Sequence, residues 1–298
     1  MLKNKIQNSF NNLTEYKRLK KLNFLKRYIH KSSSIYLDMN SGMVRSDLKK
    51  TPQEILDYWS NLIFKNKNDY NYSSSFPYAK ARLQYVFENI NDYFKNNKKL
   101  KITDFACGEG ALLNIFKKNG YKNILGTEAS ASEVKKIKKI FNIDVCLSGL
   151  GFNKLKNFKK LKDTDVSILS WVLCNCINPL KVMREISDNI KYGSYICIAE
   201  SSRILVPFKK NLNDYFSKKF IADVHPWNFT KQSLYNLLYL SDFEVCYTNK
   251  YKDSDVLLII AKKVKNIKKQ KLKVDSPKKL YNFFYYWHKI SSKKNLFD

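Results

Sequence analysis

At 298 residues, 44% hydrophobic and 14% aromatic, the chain is long enough to bury a sizeable core and too apolar to be largely disordered. Its formal charge of +29 comes almost wholly from lysine, because only Arg18, Arg27, Arg45, Arg82, Arg184 and Arg203 are arginines. Arginine is the side chain suited to bidentate phosphate and base contacts, and the lysines run through every segment instead of forming one stripe, so the charge reads as compositional bias toward Lys, Asn, Ile, Tyr and Phe, with some use in attracting an anionic substrate.

The N-terminus, MLKNKIQNSF, lacks the apolar segment of a signal peptide, and no stretch approaches the roughly 18 apolar residues of a membrane span. A cytoplasmic protein with reduced thiols is expected. Residues 1 to about 95 read as a helical extension, in which TPQEILDYWSNLIF has a Thr-Pro-x-Glu start suited to a helix N-terminus. From residue 96 to 263 strand-like and helix-like segments alternate: KITDFA, then ALLNIFKKNG closed by Gly120; NILGTE, then SASEVKKIKKIF; IDVCLS; DVSILSWVL, then NPLKVMREISDNIKYG opened by Pro179; and SYICIAE. After an insert at about 201–230 come the helix TKQSLYNLLYLS and two strands, FEVCYTNKY and DVLLIIAKK, close enough to form a hairpin. The order predicts an α/β, Rossmann-like sheet of seven strands, mainly parallel, with helices on both faces and an antiparallel last strand. It is not the six-stranded dinucleotide fold, whose second half is a parallel repeat. Residues 264–298 read as a basic linker and an aromatic helix opened by Ser276-Pro277, whose Phe283, Phe284, Tyr285, Tyr286 and Trp287 are expected to pack on the main domain; a peripheral membrane contact through the basic tails and a partner-binding helix are the competing readings.

Two of only eight glycines, Gly108 and Gly110, stand directly behind the first core strand. The chain must turn there through Ala106, Cys107, Gly108, Glu109 and Gly110 into a helix, so small residues let a ligand approach backbone beside free N–H groups and a positive dipole end. Glu128 closes the second strand about twenty residues on, where a carboxylate can accept both hydroxyls of an adenosine ribose. The glycine loop and Glu128 suit several nucleotide cofactors; the strand order separates them. Cys174 and Cys176 lack a Cys-x-x-Cys or a nearby His to complete a tetrahedral set, so they read as buried small residues and no metal is expected.

With these features the sequence resembles the class I S-adenosylmethionine-dependent methyltransferases over about residues 75 to 263. DFACGEG is similar to their cofactor loop, with Ala106 at a position often held by glycine; GTEAS is similar to their ribose-binding strand end; DVSILSWVLCNCINP is similar to their fourth strand and following loop, with Asn175 in place of a frequent His. The resemblance implies S-adenosylmethionine as cofactor. Asp104 would engage the methionine ammonium, Ala106, Cys107, Gly108 and Gly110 would run beside the methionine and ribose, Glu128 would hold the ribose with Ala129 bordering the adenine, and Trp171 and Val172 would line the cofactor near its methyl group. NYSSSFPYAKARLQYVFENI resembles a segment that closes over the cofactor in related enzymes; Tyr78 and Arg82 lie four apart on one helical face, which puts Arg82 in reach of the cofactor carboxylate.

The insert sits where such enzymes build the acceptor pocket, and its SSRILVPFKK and HPWNFT resemble bacterial methyltransferases of sugar and surface-glycan biosynthesis. The implied activity is methyl transfer to a hydroxyl oxygen of a sugar, nucleotide-sugar or glycan precursor in cell-surface polysaccharide biosynthesis. His225 is the first candidate base, expected to titrate near neutrality, and Glu200 the second. Trp227 is expected to stack on the acceptor ring, Asn175 to line the acceptor side, and Arg203 and Lys209 to neutralise a phosphate. Two other readings stay open: an RNA acceptor, against which SWVLCN offers no proline pair to hold a base amine, and a scaffold that kept the fold without the reaction. The oligomeric state is not legible.

Overall fold

The computed structural model describes residues 1–10, 18–29, 33–47, 50–64, 77–150, 159–201, 204–206, 211–216, 224–250, 256–267 and 272–293. Helix α1 (Leu2–Phe10) is followed by β1 (Leu19–Lys21), a 3₁₀ turn (Asn23–Tyr28), β2 (Ile35–Asp38), β3 (Val44–Ser46), α2 (Pro52–Phe64) and α3 (Pro77–Tyr93). The alternating region holds β4 (Ile102–Phe105), α4 (Ala111–Lys118), β5 (Ile124–Glu128), α5 (Ala131–Phe141), β6 (Asp144–Leu147), the short α6 (Lys159–Lys162) and β7 (Val166–Ser170). A second 3₁₀ turn (Leu173–Asn175), α7 (Pro179–Asn189) and β8 (Tyr195–Glu200) complete it. Then come α8 (Leu212–Tyr215), β9 (Trp227–Asn228), α9 (Lys231–Tyr239), β10 (Phe243–Thr248), β11 (Leu257–Lys263) and α10 (Pro277–Ser291).

Seven strands form the main sheet in the order β10-β11-β8-β7-β4-β5-β6. The five strands from β4 to β8 are mutually parallel, and β11 runs antiparallel to both β8 and β10, as the closing hairpin requires. The central strands β4 and β8 are buried along almost their whole length because helices cover both faces, whereas the edge strand β6 has no fully buried residue. Local signals set the helix ends: Ser130 Oγ accepts from Glu133 N to start α5, Asn178 caps α7 ahead of Pro179, and Gly120 at φ +86° closes α4.

The second sheet corrects the helical reading of the N-terminal 95 residues. Strands β1, β2, β3 and β9 form a four-stranded antiparallel sheet, so three short strands and a 3₁₀ turn stand among residues 19–46 where helix was expected. Two to four residues per strand carry too little period-two pattern to stand out, and β9 comes from the distant insert. Ile35, Leu37 and Val44 pack with Leu280, Phe284 and Trp287, so the apolar stripe of α10 is buried mainly against this small sheet and not against the main one. Its other neighbours carry Phe10, Met43, Trp227 and Phe229 into one cluster with Val172, Leu173 and Leu180. The small sheet thereby covers the turn that follows β7, with β9 packed directly on it.

Candidate functional site

Strand β4 delivers its chain into a loop where Ala106, Gly108 and Gly110 all adopt positive φ, +53°, +55° and +71°. Glycine enters that region freely; Ala106 does so at a cost of about 1 kcal/mol, met by its backbone N–H donating to Thr127 Oγ1 at 3.1 Å while Cys107 N donates to Thr127 O at 2.9 Å. The sequence reading missed Gly126, whose signal was a glycine inside a strand. A Cβ there would lie 2.8 Å from Cys107 Sγ and 2.9 Å from Leu113 Cδ1, so β5 lies against the loop only because Gly126 has no side chain. At Gly108, by contrast, a Cβ would meet nothing within 4 Å.

Two carboxylates flank the loop. Glu128 accepts from Gly108 N at 2.9 Å through Oε2, and from Ala129 N at 2.8 Å and Ser130 N at 3.0 Å through Oε1. Burial raises its pKa, against the lowering effect of those three N–H donors. Asp104 is 3% exposed, and its Oδ1 has no hydrogen-bond partner among the described residues. Burial, reinforced by the charge of Glu128, pushes the Asp104 carboxyl up to about 8. A buried acceptor oxygen without a donor suits a cationic or donor group, which would draw it into its ionised form. Burial also raises the Cys107 thiol well above its ordinary value, so this residue serves as a small neutral neighbour and not as a nucleophile. The open face at Gly108, the orphaned oxygen of Asp104 and the strand-end carboxylate of Glu128 fit the ammonium, backbone and ribose contacts that S-adenosylmethionine needs.

The ends of β7 and β8 form the other half. Trp171 follows β7 at φ +57°, its N–H bonded to Ala199 O at 2.8 Å and its indole Nε1 donating to Ser201 Oγ at 2.7 Å. The guanidinium of Arg82, carried by α3, lies 4.0 Å from the Trp171 ring centroid and donates to Ser201 Oγ as well. Arg82 is thus held over the β7 end, and Ser201, which the sequence reading did not single out, ties the two together. Glu200 is buried; its Oε1 accepts from Leu173 N at 2.9 Å and Cys174 N at 3.3 Å, which caps the 3₁₀ turn. Burial pushes Glu200 up to about 7. Asn175 Nδ2 donates to Trp171 O at 3.0 Å, so it braces the positive-φ residue, and Val172 is buried beside it. The thiols of Cys174 and Cys176 are raised by burial and by Glu200. No group of three or more potential metal ligands occurs among the described residues.

The insert corrects two expectations. Trp227 is 2% exposed, its ring 6.3 Å from Phe229 and 6.1 Å from Phe10, so apolar packing claims the surface expected to stack on an acceptor. His225 does not titrate near neutrality: burial lowers it to about 4, leaving a neutral ring of weak basicity at pH 7. Arg203, Lys209 and the side chain of Tyr78 lie outside the described residues.

A family model described as a methyltransferase domain matches residues 78–248, from α3 into β10. Among solved structures, magnesium protoporphyrin IX methyltransferase from Synechocystis with bound SAH is similar at a TM-score of 0.53 and 12% identity, over 72% of this chain and 100% of that one. The Burkholderia thailandensis 1,6-didemethyltoxoflavin-N1-methyltransferase with bound S-adenosylhomocysteine is similar at 0.52 and 10%, over 80% and 98%. A SAM-dependent methyltransferase from Thermotoga maritima is similar at 0.52 and 15%, over 70% and 99%. At these identities the shared property is the fold. No curated protein matches the sequence.

Proposed function

Because the chain belongs to the methyltransferase-domain family, with S-adenosylmethionine as its cofactor, we propose that it methylates a hydroxyl oxygen of a sugar, nucleotide-sugar or glycan precursor. The observation that carries a small acceptor is the cover: β9 and the N-terminal strands close over the turn after β7, where a duplex or a long chain would have to displace a folded sheet. The choice of a sugar rests on the resemblance of SSRILVPFKK and HPWNFT.

S-adenosylmethionine supplies an electrophilic methyl group. The chain's own residues then align and exclude. Asp104 would take the ammonium and Glu128 the ribose, while the backbone from Ala106 to Gly110 would run beside the methionine and ribose, with open space at Gly108. Trp171, held by Ser201 and Arg82, sets the wall on the acceptor side. In-line displacement asks mainly for alignment, with a base to remove the hydroxyl proton. Glu200, pushed to about 7, is half ionised at neutral pH and better matched to that proton than His225 at about 4. Both remain within the proposal, and Arg203 and Lys209 are its candidate phosphate partners.

Incubating the full chain with S-adenosylmethionine and a panel of nucleotide-sugars and glycan precursors tests this. A mass gain of about one methyl group on a sugar hydroxyl is expected. Methylation of RNA with an untouched sugar panel would replace the acceptor. An absence of heat on titrating S-adenosylhomocysteine would remove the enzyme and leave a scaffold.

A further inference from the structure

The two longest runs of the sequence without an aspartate or glutamate are residues 16–37 and 276–297, at opposite ends of the chain. The fold brings them together. Phe24 of the first 3₁₀ turn meets Tyr281 and Tyr285 of α10 edge-on at 5.6 and 5.8 Å, and Tyr28 Oη is 2.9 Å from His288 Nδ1. With Leu280, Phe284 and Trp287 turned inward, helical periodicity places Lys278, Tyr286 and Lys289 on the outer side of α10, and Lys293 follows just past its C-terminal end. All four are exposed, as are Lys20, Lys26 and Arg27 next to them.

From this juxtaposition we propose that the outer face of α10, together with the first 3₁₀ turn, is a docking surface for an anionic phospholipid bilayer. The charge is complementary to such a surface and undiluted by carboxylates from either run, unlike the main domain, where Lys136, Lys138 and Lys191 pair with Glu133, Asp144 and Asp165. Clustered lysines near a membrane act as additive point charges, and tyrosine rings settle at headgroup depth. Tyr286 at 58% exposure and Tyr285 at 36% supply that amphipathic element. Single-stranded nucleic acid is the weaker fit. It needs free ring faces for base stacking, and here Lys20 Nζ lies 3.8 Å over the Tyr281 ring and Lys289 Nζ 4.9 Å over that of Tyr285. The surface is one convex helix face and not a groove. This surface is independent of the methyl-transfer reading and is tested without it.

The test is co-sedimentation of the full chain with phosphatidylcholine vesicles that either lack phosphatidylglycerol or contain about one third of it. Binding is expected on the anionic vesicles only, released by about 0.5 M salt. The triple variant Lys278→Glu, Lys289→Glu, Lys293→Glu should lose about 100-fold or more in affinity, and Tyr286→Ser about threefold. A control with the same charge change on α4 and α5 and the loop after α4, Lys118→Glu, Lys122→Glu, Lys139→Glu, should lose less than about threefold. Equal losses in the two triple variants would assign binding to net charge and overturn the proposal. So would equal binding to uncharged vesicles, or retention by a single-stranded RNA oligonucleotide at salt that already frees the vesicles. If the first triple variant melts early, Tyr286→Ser and the salt release decide alone.

Discussion

The two sheets are built over very different stretches of chain. In the main sheet β4, β5 and β6 follow one another with a single helix between neighbours, and the cofactor loop, its backing strand and both of its carboxylates lie within residues 104–130. In the small sheet β3 pairs with β9, so residues 44–45 meet 227–228 across most of the main domain. The glycine-loop half therefore rests on local contacts, while the small sheet needs contacts between distant segments of the chain. The two halves should accordingly fail separately under substitution, except where they share packing.

Trp227 is that shared packing. Trp227→Ala removes the ring between Phe10 and Phe229 and is expected to destabilise the protein by about 3–5 kcal/mol in urea unfolding; a loss well below this would mean that the sheets are not joined there. Next in size, Glu128→Ala should weaken S-adenosylhomocysteine binding by about 100-fold in calorimetry, since it removes a charged acceptor. Micromolar binding retained by this variant would dislodge the pocket from the β5 end.

Gly42→Ala should reach the cover alone. Gly42 sits at φ +68° with the Asp275 carbonyl against the place its Cβ would take and Leu280 Cδ1 at 3.2 Å, so about 2 kcal/mol is expected. Hydrogen exchange should quicken in β2, β3 and α10 and stay unchanged in β4 and β5, with S-adenosylhomocysteine affinity within a factor of two; equal quickening in both sheets would erase the distinction.

The last prediction concerns the pH dependence set by Asp104. Its folded pKa of about 8 lies above the ordinary 3.8, so between these values the unfolded chain gives up the proton first and stability falls as pH rises, levelling above about 8. The slope should approach about 1 kcal/mol per pH unit and flatten in Asp104→Asn. Cofactor binding near pH 7 should release a proton from wild type, read as a buffer-dependent calorimetric heat, and the Asn variant should show none. An unchanged slope in that variant would place the titration elsewhere.

The core elements were legible because their signals are local. KITDFA, NILGTE and SYICIAE are apolar runs bounded by turns, and Ser130, Asn178-Pro179 and Gly120 mark helix ends through hydrogen bonds to residues three or four away. Gly126 was equally local and was overlooked. Trp227 was misread because whether an aromatic ring faces a ligand or a core depends on what else arrives, and Phe10 and the N-terminal strands arrive from the other end of the chain.

What the sequence determined by itself was the succession of strands and helices, the helix caps, and the positions of Asp104, Glu128 and the glycine loop, with the cofactor following from the resemblance that these carry. The caps and the loop rest on backbone geometry over a few residues. The tertiary structure alone decided that β1, β2 and β3 join β9 in a second sheet, that Trp227 is core, that Ser201 holds Arg82 and Trp171 together, and that the first 3₁₀ turn meets α10. Those outcomes depend on contacts between segments far apart in sequence, whose burial and electrostatics exist only once the chain has closed on itself.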